Sequence, residues 1–346
     1  MSERKPYILT INTGSTSTKL ALFEGDKLLE QKELTYSSDK PAVSFDEALR
    51  MRSEQVKAFV KDKRVDLIMA RGGILKPMES GVYEVDERML EALRNAPVFH
   101  ESNLSAPIAF AIAKEKSIKA YIADPVTVDE LQAVARYAGH PLFERKSIFH
   151  ALNQKAVARK FAMESGKKYE DLHLIVAHLG GGISIGAHRR GRVVDVNQAL
   201  DGEGPFSPER SGTLPSGDLV RAAFSGKYTE KQLLKMIKGE GGLKAYTGTS
   251  DVRKLDLNNP DTKEIVDAMI YQIAKYIGEM AVVLRGRIDA VILTGGLAHS
   301  SYITKGITDY VSFLAPVKVY PGENELAALA FNGLLVWEGK LKVKRL

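Results

Sequence analysis

The sequence predicts an α/β protein with two duplicated domains, and three observations support this prediction. A chain of 346 residues exceeds what one hydrophobic core usually serves, which favours two domains. Residues 8–22 run from an apolar stretch through a turn of glycine and hydroxyl residues into a second apolar stretch, a pattern typical of strand, loop and strand. The pattern returns at an offset of 166 residues, which aligns Asn12 with His178 and Gly14 with Gly180. We therefore expect two similar domains that face each other, each with one phosphate loop.

Composition and charge exclude several classes of function. The chain has 49 basic and 43 acidic side chains, a net charge of +6 that is mixed along the sequence, so nucleic acid is not implied, whereas anionic substrates such as nucleotides are compatible. The absence of cysteine excludes disulfides, thiolate catalysis and cysteine metal sites. No stretch approaches the roughly 20 apolar residues of a membrane span, and the N-terminus lacks an apolar core. These features predict a soluble cytoplasmic protein.

The first glycine turn suits a phosphate. Gly14 lets the backbone approach a ligand, and residues 15–18 supply short hydroxyl and amide donors. A strand-like pattern follows instead of a helix, and the Gly-Lys-Ser/Thr ending is missing, so neither the Walker loop nor the Rossmann fingerprint fits. Taken alone, the stretch is equally compatible with a hairpin turn. The repeat at His178 favours the phosphate loop, because two unrelated turns need not share their whole setting.

Periodicity places the other candidate residues of the first half. It predicts a strand at 27–34, a helix at 45–60, a buried strand at 65–70, helical structure at 87–116 broken at 95–97, and a short strand at 120–123. Arg71, followed by Gly72 and Gly73, ends a buried strand, where it could meet an anion or form a surface ion pair. The second part of the 87–116 stretch has a possible helix cap at Ser102 or Asn103.

Two further residues carry open alternatives. Asp124 ends a predicted strand, where a carboxylate could bind a metal-held phosphate, orient a neighbour or form a turn. His150 lies near the start of a helix predicted from residue 146 to about 163. It could act as an acid, stabilise charge or be a packed core histidine, which is the usual case.

The second half predicts a binding loop and a nucleotide surface. It contains predicted helices at 218–224, 231–237, 263–284 and 325–337, and predicted strands at 174–179, 289–294 and 317–320. Residues 201–215 are too rich in Gly and Pro for a helix, so they form a lid or binding wall with Arg210 as their one positive side chain. Asp251 could cap a helix. Gly295 and Gly296 end a buried strand and would give a flat surface for a base or ribose.

Five features in chain order resemble the acetate and butyrate kinase family. They are Asn-x-Gly-Ser-Thr-Ser-Thr-Lys at 12–19, Arg71-Gly-Gly, His-x-Gly-x-Gly-x-Ser at 178–184, Thr294-Gly-Gly and the duplication. The resemblance covers residues 7–335. Ser-Ile-Phe-His150-Ala-Leu-Asn, Asp201-Gly-Glu-Gly-Pro-Phe and Asp124-Pro look more like butyrate kinase. Acetate kinases carry an Asp-Thr-Ala-Phe-His-like stretch at Asp124 and Gly-Glu-Asn in place of Leu297-Ala-His299, so the resemblance assigns no adenine contacts at 297–299.

The resemblance implies a fold and a reaction. The fold is two duplicated ribonuclease H-like domains, as in actin-like ATPases, facing a central cleft. Residues 1–149, joined by the C-terminal helix 326–346, would form one domain, and 150–325 the other, with the nucleotide site. The reaction is reversible, direct in-line transfer of the γ-phosphoryl group of ATP, with Mg²⁺, to butyrate. A homodimer or larger assembly is also implied.

The resemblance also implies roles for individual residues. The catalytic candidates are Arg71 for the substrate carboxylate, Arg210 for the phosphoryl charge, His150 and His178 for the equatorial oxygens, and Asp124 to orient the arginine or magnesium shell. The nucleotide candidates are Asn12, Gly14, Ser15, Thr16, Lys19, Gly180, Gly181, Gly182, Asp251, Arg253, Gly295 and Gly296. Asn12 and Glu325 are the metal candidates, and Gly73, Phe149 and Pro208 are the candidates for the acyl-chain wall.

Three alternatives stay open at the level of sequence. The acid could be isobutyrate, propionate or acetate, because one methylene discriminates by only about 1–3 kcal/mol in an apolar pocket. The chain could instead be a non-catalytic ATP-gated binding module, in which Arg71, Arg210 and His150 would lack a purpose. A polymerising actin-like protein would require a self-complementary surface, for which nothing in the sequence argues.

Overall fold

The computed structural model describes residues 4–14, 17–36, 44–96 and 100–346. The chain divides into two compact units, of which the first comprises Met1–Val128 and Asn324–Leu346 and the second comprises Asp129–Glu323. The sequence-based division lay at 149/150 instead. Residues 129–149 join the second unit because their polar groups bond to its sheet: the Gln132 N–H donates to Val194 O at 3.0 Å, and Arg145 pairs with Asp195 at 3.0 Å.

The strands and helices follow one another in three stretches. Residues up to 128 contain β1 (Tyr7–Thr13), β2 (Ser17–Glu24), β3 (Lys27–Thr35), α1 (Phe45–Val60), β4 (Leu67–Arg71), β5 (Val82–Glu84), α2 (Glu87–Arg94), α3 (Ser105–Lys116) and β6 (Lys119–Ala123). Residues 129–323 contain α4 (Ala151–Glu164), β7 (His173–Leu179), β8 (Ile183–Arg189), β9 (Arg192–Val196), α5 (Ser216–Ala223), α6 (Glu230–Ile237), α7 (Gly242–Thr247), α8 (Pro260–Val283), β10 (Ala290–Gly295), α9 (Ser301–Val311) and β11 (Val317–Pro321). The last stretch contains α10 (Glu325–Trp337) and β12 (Val343–Lys344). Short 3₁₀ turns lie at Glu101–Leu104, Ala133–Arg136, Tyr169–Asp171, Val252–Lys254 and Gly296–His299.

The two sheets share one topology, which confirms the predicted duplication. In the first unit the strand order is β12-β5-β6-β4-β1-β2-β3, and in the second it is β11-β10-β7-β8-β9. The first three strands of each sheet form an antiparallel meander. The first strand of the meander pairs with a parallel strand, β4 or β10, which in turn pairs with a second parallel strand, β6 or β11. The second hairpin of each meander turns at a glycine with positive φ, Gly25 (61°) and Gly191 (81°).

The duplicated loops differ in one respect. β1 and β7 have the same length, and β8 begins at the position that repeats the start of β2. The last pair in the first hairpin is Thr13 with Thr18, whereas the last pair in the second is Leu179 with Ile183. The loop between the paired residues is therefore one residue shorter in the second unit, so the glycines at 180–182 form a tighter turn.

Each sheet is covered by helices. In the first unit α1 and α3 bury Val56 and Ile108 with the sheet, and α10 approaches the strands closely at Gly333, where a Cβ would lie 2.8 Å from Met69. In the second unit α8 covers one face, while α4 packs with Leu174 on the other. The predicted apolar stripe of α8 is core: Val266, Met269, Ile270, Ile273, Ile277 and Met280 are buried, as is Leu284 just beyond it. Among the described residues, no helix is long and apolar enough to cross a membrane.

Two predictions of local structure are wrong, and a third lies partly outside the described residues. The helix expected from residue 146 begins at Ala151, because residues 146–149 run outside any helix and Ile148 O accepts a bond from the Ala199 N–H at 2.9 Å. No side chain caps α3; His100 caps the preceding 3₁₀ turn instead of Ser102 or Asn103 capping a helix. The break at 95–97 falls partly outside the described residues, since 97–99 are not described.

Candidate active site

Two histidines of the second unit form a stacked pair. His178, the penultimate residue of β7, is fully buried, and His150 occupies the N-cap position of α4. Their ring centroids are 3.8 Å apart with an interplanar angle of 10°. Nδ1 of His178 lies 2.7 Å from Oδ1 of Asn153, and Nδ1 of His150 lies 2.9 Å from Oγ of Ser184. The Nδ1 atom of each ring is therefore engaged in a hydrogen bond within the second unit.

Nε2 of His178 lies near a carboxylate. Its Nε2 is buried, has no hydrogen-bond partner among the described residues, and lies 3.5 Å from Oε2 of Glu323. His150, His178 and Glu323 together hold ligand atoms within 4.8 Å of one another. A histidine binds a metal ion in the plane of its ring. Because the two stacked rings lie in separate, nearly parallel planes, one metal ion cannot lie in both. The arrangement suits hydrogen bonding to an anion better than metal ligation.

The glycine turn between β7 and β8 is surrounded by functional side chains. A Cβ at Gly180 would lie 3.0 Å from Nε2 of His178, and one at Gly181 would lie 3.1 Å from Oε1 of Glu209. A Cβ at Gly182 would lie 2.5 Å from Cζ of Arg210 and closer still to Nη1. A side chain at any of the three positions would therefore have to displace His178, Glu209 or Arg210, most of all at Gly182. Sequence reasoning assigned these glycines to phosphate binding without this packing constraint.

Arg210 is held over the glycine turn by its own loop. Ser207 Oγ donates to Gly181 O at 2.5 Å and accepts from the Arg210 N–H at 3.1 Å. Nη1 of Arg210 donates to Ala199 O, and its buried Nε has no hydrogen-bond partner among the described residues. Burial lowers the pKa of Arg210, and the carboxylates of Glu209 and Asp201 oppose this shift. The guanidinium stays charged and is partly unsatisfied, as expected for a group that receives an anion.

A cavity of about 750 Å³ opens beside the same turn. It is lined by Gly180, Gly181, Pro208, Glu209, Ser250, Asp251, Val252, Arg253, Gly296, Leu297, His299, Ser300 and Glu323. Asp251 caps the 3₁₀ turn Val252–Lys254, as the capping alternative predicted, and pairs with the exposed Arg253 at 2.8 Å. Gly295 has φ 90° and a Cβ there would lie 2.7 Å from the backbone of Leu179, so only glycine fits. Five of the predicted nucleotide residues therefore line one cavity.

The first unit brings three candidate residues together. Oε2 of Glu325 accepts hydrogen bonds from Nδ2 of Asn12 and, at 3.3 Å, from Nη1 of Arg71, which also donates to Oδ1 of Asn12 at 3.3 Å. Arg71 is the last residue of β4, and the side chains of Arg71 and Glu325 are about a quarter exposed. Carboxylate and amide oxygens are the ligands that Mg²⁺ prefers, usually with several waters retained. The donor set of Asn12 and Glu325 fits such an ion.

The first glycine loop is only partly described. Ser15 and Thr16 lie outside the described residues. The Gly14 N–H donates to Ser17 O at 2.7 Å, and Gly14 O accepts from Nη1 of Arg52 at 2.8 Å. Lys19 is exposed on β2. Arg52, a buried residue of α1, was not among the sequence candidates, because a lone arginine in a helical pattern carries no functional signal.

The remaining candidates have structural contacts. Asp124 is buried with φ 39°, and its Oδ1 accepts from Ser80 Oγ at 2.6 Å and from the Gly81 N–H at 2.8 Å. A Cβ at Gly73 would lie 2.8 Å from Cδ2 of Leu93, so packing requires glycine there. Phe149 is buried, and Pro208 lines the cavity of the second unit.

Sequence reasoning missed the polar residues that support the histidines. Asn153 and Gln154 follow His150 at i+3 and i+4 on the same face of α4, and Ser184 and Glu323 complete the surroundings. The spacing His-x-x-Asn-Gln is visible in the sequence, and polar residues at i+3 and i+4 share a helix face with residue i. That signal could have identified Asn153 and Gln154.

The repeated five-strand topology, with a glycine turn between the first two strands of each unit, defines a duplicated actin-like ATPase fold. A crystal structure of acetate kinase from Porphyromonas gingivalis superposes with a TM-score of 0.78 at 18% identity, covering 96% of this chain and 100% of that one. A propionate kinase structure from Francisella tularensis gives 0.73 at 18% identity, with 94% and 98% covered. At these identities the likeness concerns the fold.

Sequence comparison gives the family. The sequence model of the acetokinase family matches residues 130–328. Butyrate kinase 2 of Clostridium acetobutylicum is 49% identical, with 98% of each chain covered, and butyrate kinase 1 of the same organism is 48% identical, with 97% of this chain and 98% of the relative covered. The chain belongs to the acetokinase family, as the sequence motifs predicted, and is an enzyme.

Proposed function

We propose that this enzyme transfers the γ-phosphoryl group of ATP to butyrate and forms butyryl phosphate and ADP in a reversible reaction. The observation that carries the proposal is the 48–49% identity, over nearly the whole chain, to relatives named butyrate kinase. The matched length includes every candidate residue of both units. Branched acids, propionate and acetate are the alternative acceptors.

The substrate acid needs charge compensation more than a base. A carboxylate is already a nucleophile, so no proton has to be removed before one of its oxygens attacks the γ-phosphorus and the bond to the ADP oxygen breaks. The obstacle is repulsion between the acid and the polyphosphate. We assign Arg71 to the carboxylate, because its guanidinium can form a planar bidentate pair with it. In the ligand-free structure Arg71 pairs with the carboxylate of Glu325, and Asp124 lies one strand away at the end of β6.

Residues of the second unit are assigned to stabilise the negative charge of the phosphoryl group during transfer. Arg210 and the Nε2 edges of His150 and His178 are assigned to the equatorial oxygens of the phosphoryl group. This assignment is supported by Nε2 of His178 and Nε of Arg210, which are buried and have no hydrogen-bond partner within the described part of the chain, and by the closeness of both side chains to the glycine turn. Positioned donors of this kind stabilise charge that develops in the transition state.

ATP and Mg²⁺ are assigned to separate sets of residues. The cavity of about 750 Å³, lined by Asp251, Arg253 and Gly296, suits a nucleoside, and the turn at 180–182 suits its phosphates. Gly14, Ser15, Thr16 and Lys19 are assigned to the distal phosphates. Asn12 and Glu325 would hold the magnesium ion, which would neutralise phosphate charge when bound. Gly73, Phe149 and Pro208 stay the candidates for the acyl-chain wall.

The proposal is tested by trapping the product with hydroxylamine. ATP, magnesium and acids of one to six carbons are supplied separately, and acyl hydroxamate is measured. Butyrate should give the highest kcat/KM. A higher value with acetate, propionate or isobutyrate would move the assignment to that acid. ATP binding without hydroxamate from any acid would favour the non-catalytic module. A cytoplasmic location and a homodimer or larger assembly stay predictions.

A further inference from the structure

A continuous chain of buried polar groups leads from the back of the second sheet to His150. It runs from Tyr169 through His188, Gln154 and Ser184. Gln154, His188 and Ser184 are fully buried, and none of them has a role in the reaction described above. Buried polar groups must satisfy one another's donors and acceptors, so the direction of each hydrogen bond can be derived from its neighbours.

The backbone carbonyl of Ser184 determines how the side-chain amide of Gln154 is oriented. One nitrogen or oxygen of its side chain lies 3.0 Å from Ser184 O, and a backbone carbonyl can only accept, so the atom facing it is Nε2. The second N–H of the same nitrogen then donates to Ser184 Oγ at 2.9 Å. The amide oxygen faces Nε2 of His188 at 3.0 Å and must accept there. Gly186 makes room for this amide, because a Cβ at 186 would lie 2.6 Å from Oε1 of Gln154.

His188 is held in a single neutral form. Burial lowers the pKa of His188 well below its ordinary value, and the positive charges of Lys155 and Arg159 lower it further. Its one ring proton lies on Nε2, since that nitrogen donates to Gln154. Nδ1 therefore accepts from the Tyr169 hydroxyl, 2.6 Å away. His188 thus fixes the orientation of the Gln154 amide by donating to its oxygen.

The hydroxyl of Ser184 connects Gln154 with His150 and determines which ring nitrogen of His150 carries the proton. Its Oγ accepts from Nε2 of Gln154 at 2.9 Å and from the His150 backbone N–H at 3.4 Å. A hydroxyl oxygen has two lone pairs and one proton, so with both lone pairs engaged the group can only donate to Nδ1 of His150, 2.9 Å away. Nδ1 then accepts, and the proton of the neutral imidazole lies on Nε2.

We propose that Gln154, Ser184 and His188 are positioning residues that hold the His150 imidazole as its Nε2–H tautomer, with this hydrogen directed at the phosphoryl oxygens. The proposal rests on the function proposed above, and it adds the direction of each hydrogen bond along the chain from Tyr169 to His150. An imidazole in the other tautomer would present the lone pair of Nε2 to an anion and repel it. The rate of a Ser-His-Asp triad likewise depends on which ring nitrogen of its histidine carries the proton.

The tautomer is measured directly by ¹⁵N NMR of ring-labelled histidine in the ligand-free enzyme, in alkaline buffer. The resonances of His150 are identified by their loss in His150→Gln. The expected spectrum shows an unprotonated Nδ1 and a protonated Nε2. A protonated Nδ1 would overturn the proposal. This measurement does not depend on activity, so it separates a failure of the proposal from a failure of the proposed function, which absence of acyl phosphate from the wild-type enzyme would reveal.

Two variants connect the tautomer with the reaction. In Gln154→Met the amide that donates to Ser184 Oγ is removed, so one lone pair of the hydroxyl is freed and Nδ1 of His150 is no longer held as an acceptor. In Ser184→Ala the directing hydroxyl is removed, and the two ring nitrogens should shift towards the averaged values of a free imidazole. We expect kcat to fall about 10- to 100-fold in both, in the range for loss of a group that orients a reacting residue, with KM for ATP within about threefold of wild type.

Thr10→Val is the matched control. Thr10 is a fully buried strand hydroxyl that donates to Ala21 O at 3.2 Å, and Val176 stands at the repeated position of the second unit. This variant loses a buried hydrogen bond without contact with the histidines, so its kcat should stay near that of wild type. A fall in kcat without any change in the His150 tautomer in Ser184→Ala and Gln154→Met would assign these residues a purely structural role and refute the proposal. A changed tautomer with wild-type kcat would equally refute it.

Discussion

The placement of Arg210 over Gly182 makes Gly182→Ala a test of the charge-neutralising role. The new Cβ would lie 2.5 Å from Cζ of Arg210 and closer still to Nη1, whereas ordinary contacts begin at 3.4 Å, so the guanidinium must move by more than about 1 Å. The obstacle is the end of a flexible side chain, so the fold should persist. A displacement of this size at a positioning group can cost about a hundredfold in rate, or about 2.7 kcal/mol of transition-state stabilisation.

The assay measures kcat and KM by acyl hydroxamate formation. We expect kcat to fall about a hundredfold in Gly182→Ala and in Arg210→Ala, with ATP affinity spared in Arg210→Ala. The double variant should have a kcat no lower than that of Arg210→Ala alone, because both changes remove one interaction. Gly278→Ala is the control, since among the described residues no atom outside its own helix backbone lies within 4 Å of a Cβ on this α8 glycine. Additive losses of kcat in the double variant, or an equal loss of ATP binding in Arg210→Ala, would refute the placement.

Three further predictions concern magnesium, stability and pH. Glu325→Gln should raise the magnesium concentration for half-maximal rate about tenfold, because a neutral amide binds the ion less well than a carboxylate; a titration identical to wild type would remove Glu325 from the metal site. Lys155→Met should lower the free energy of unfolding by about 3–5 kcal/mol, since it removes the buried ammonium group that is paired at 2.6 Å with the carboxylate of Glu130. Urea unfolding measures this, and Lys155→Met/Glu130→Gln should recover part of the loss; no recovery would contradict the pairing argument. His188 has a lowered pKa in the fold, so below its unfolded pKa near 6.5 the unfolded chain binds a proton that the native chain does not, and stability falls as pH decreases by up to about 1.4 kcal/mol per pH unit. His188→Asn should lack this part of the slope, and a slope unchanged by the substitution would contradict the argument.

The duplication and most long elements could be predicted because their signals are local. α1 and α10 have the predicted bounds, since each combines apolar periodicity with a side-chain cap, Ser44 for α1 and Asn324 for α10. The glycine turns recur because both hairpins need glycine at the same position of the repeat. A pattern that depends on neighbouring residues is visible without the fold.

Elements decided by distant contacts could not be predicted. The helix α7 begins in a glycine-rich stretch that gave no helical signal, and Gly242 at its start has φ 62° and no room for a Cβ beside Ser207 O. Likewise, residues 146–149 have helical composition but bond to Ala199 instead. The short β5, which pairs with β6, also had no recognised pattern.

The same distinction between local signals and distant contacts applies to the candidate site. Residue types with a chemical signature, such as Arg71, His178 and Arg210, could be selected from the sequence. Their surroundings could not, because a hydrogen bond between Asn12 and Glu325, or an arginine lying on Gly182, joins positions far apart in the chain. Buried polar residues such as Gln154 look like ordinary helix residues until their partners are known.

The most direct test of the proposed reaction follows the carboxylate oxygen. Butyrate labelled with ¹⁸O in both carboxylate positions is incubated with ATP, magnesium and the enzyme, and the product is examined by ³¹P NMR. Direct attack predicts butyryl phosphate in which the bridging oxygen between carbon and phosphorus is ¹⁸O, seen as an isotope shift of the phosphorus resonance. An unlabelled bridge, or no butyryl phosphate at all, would contradict direct transfer to the acid.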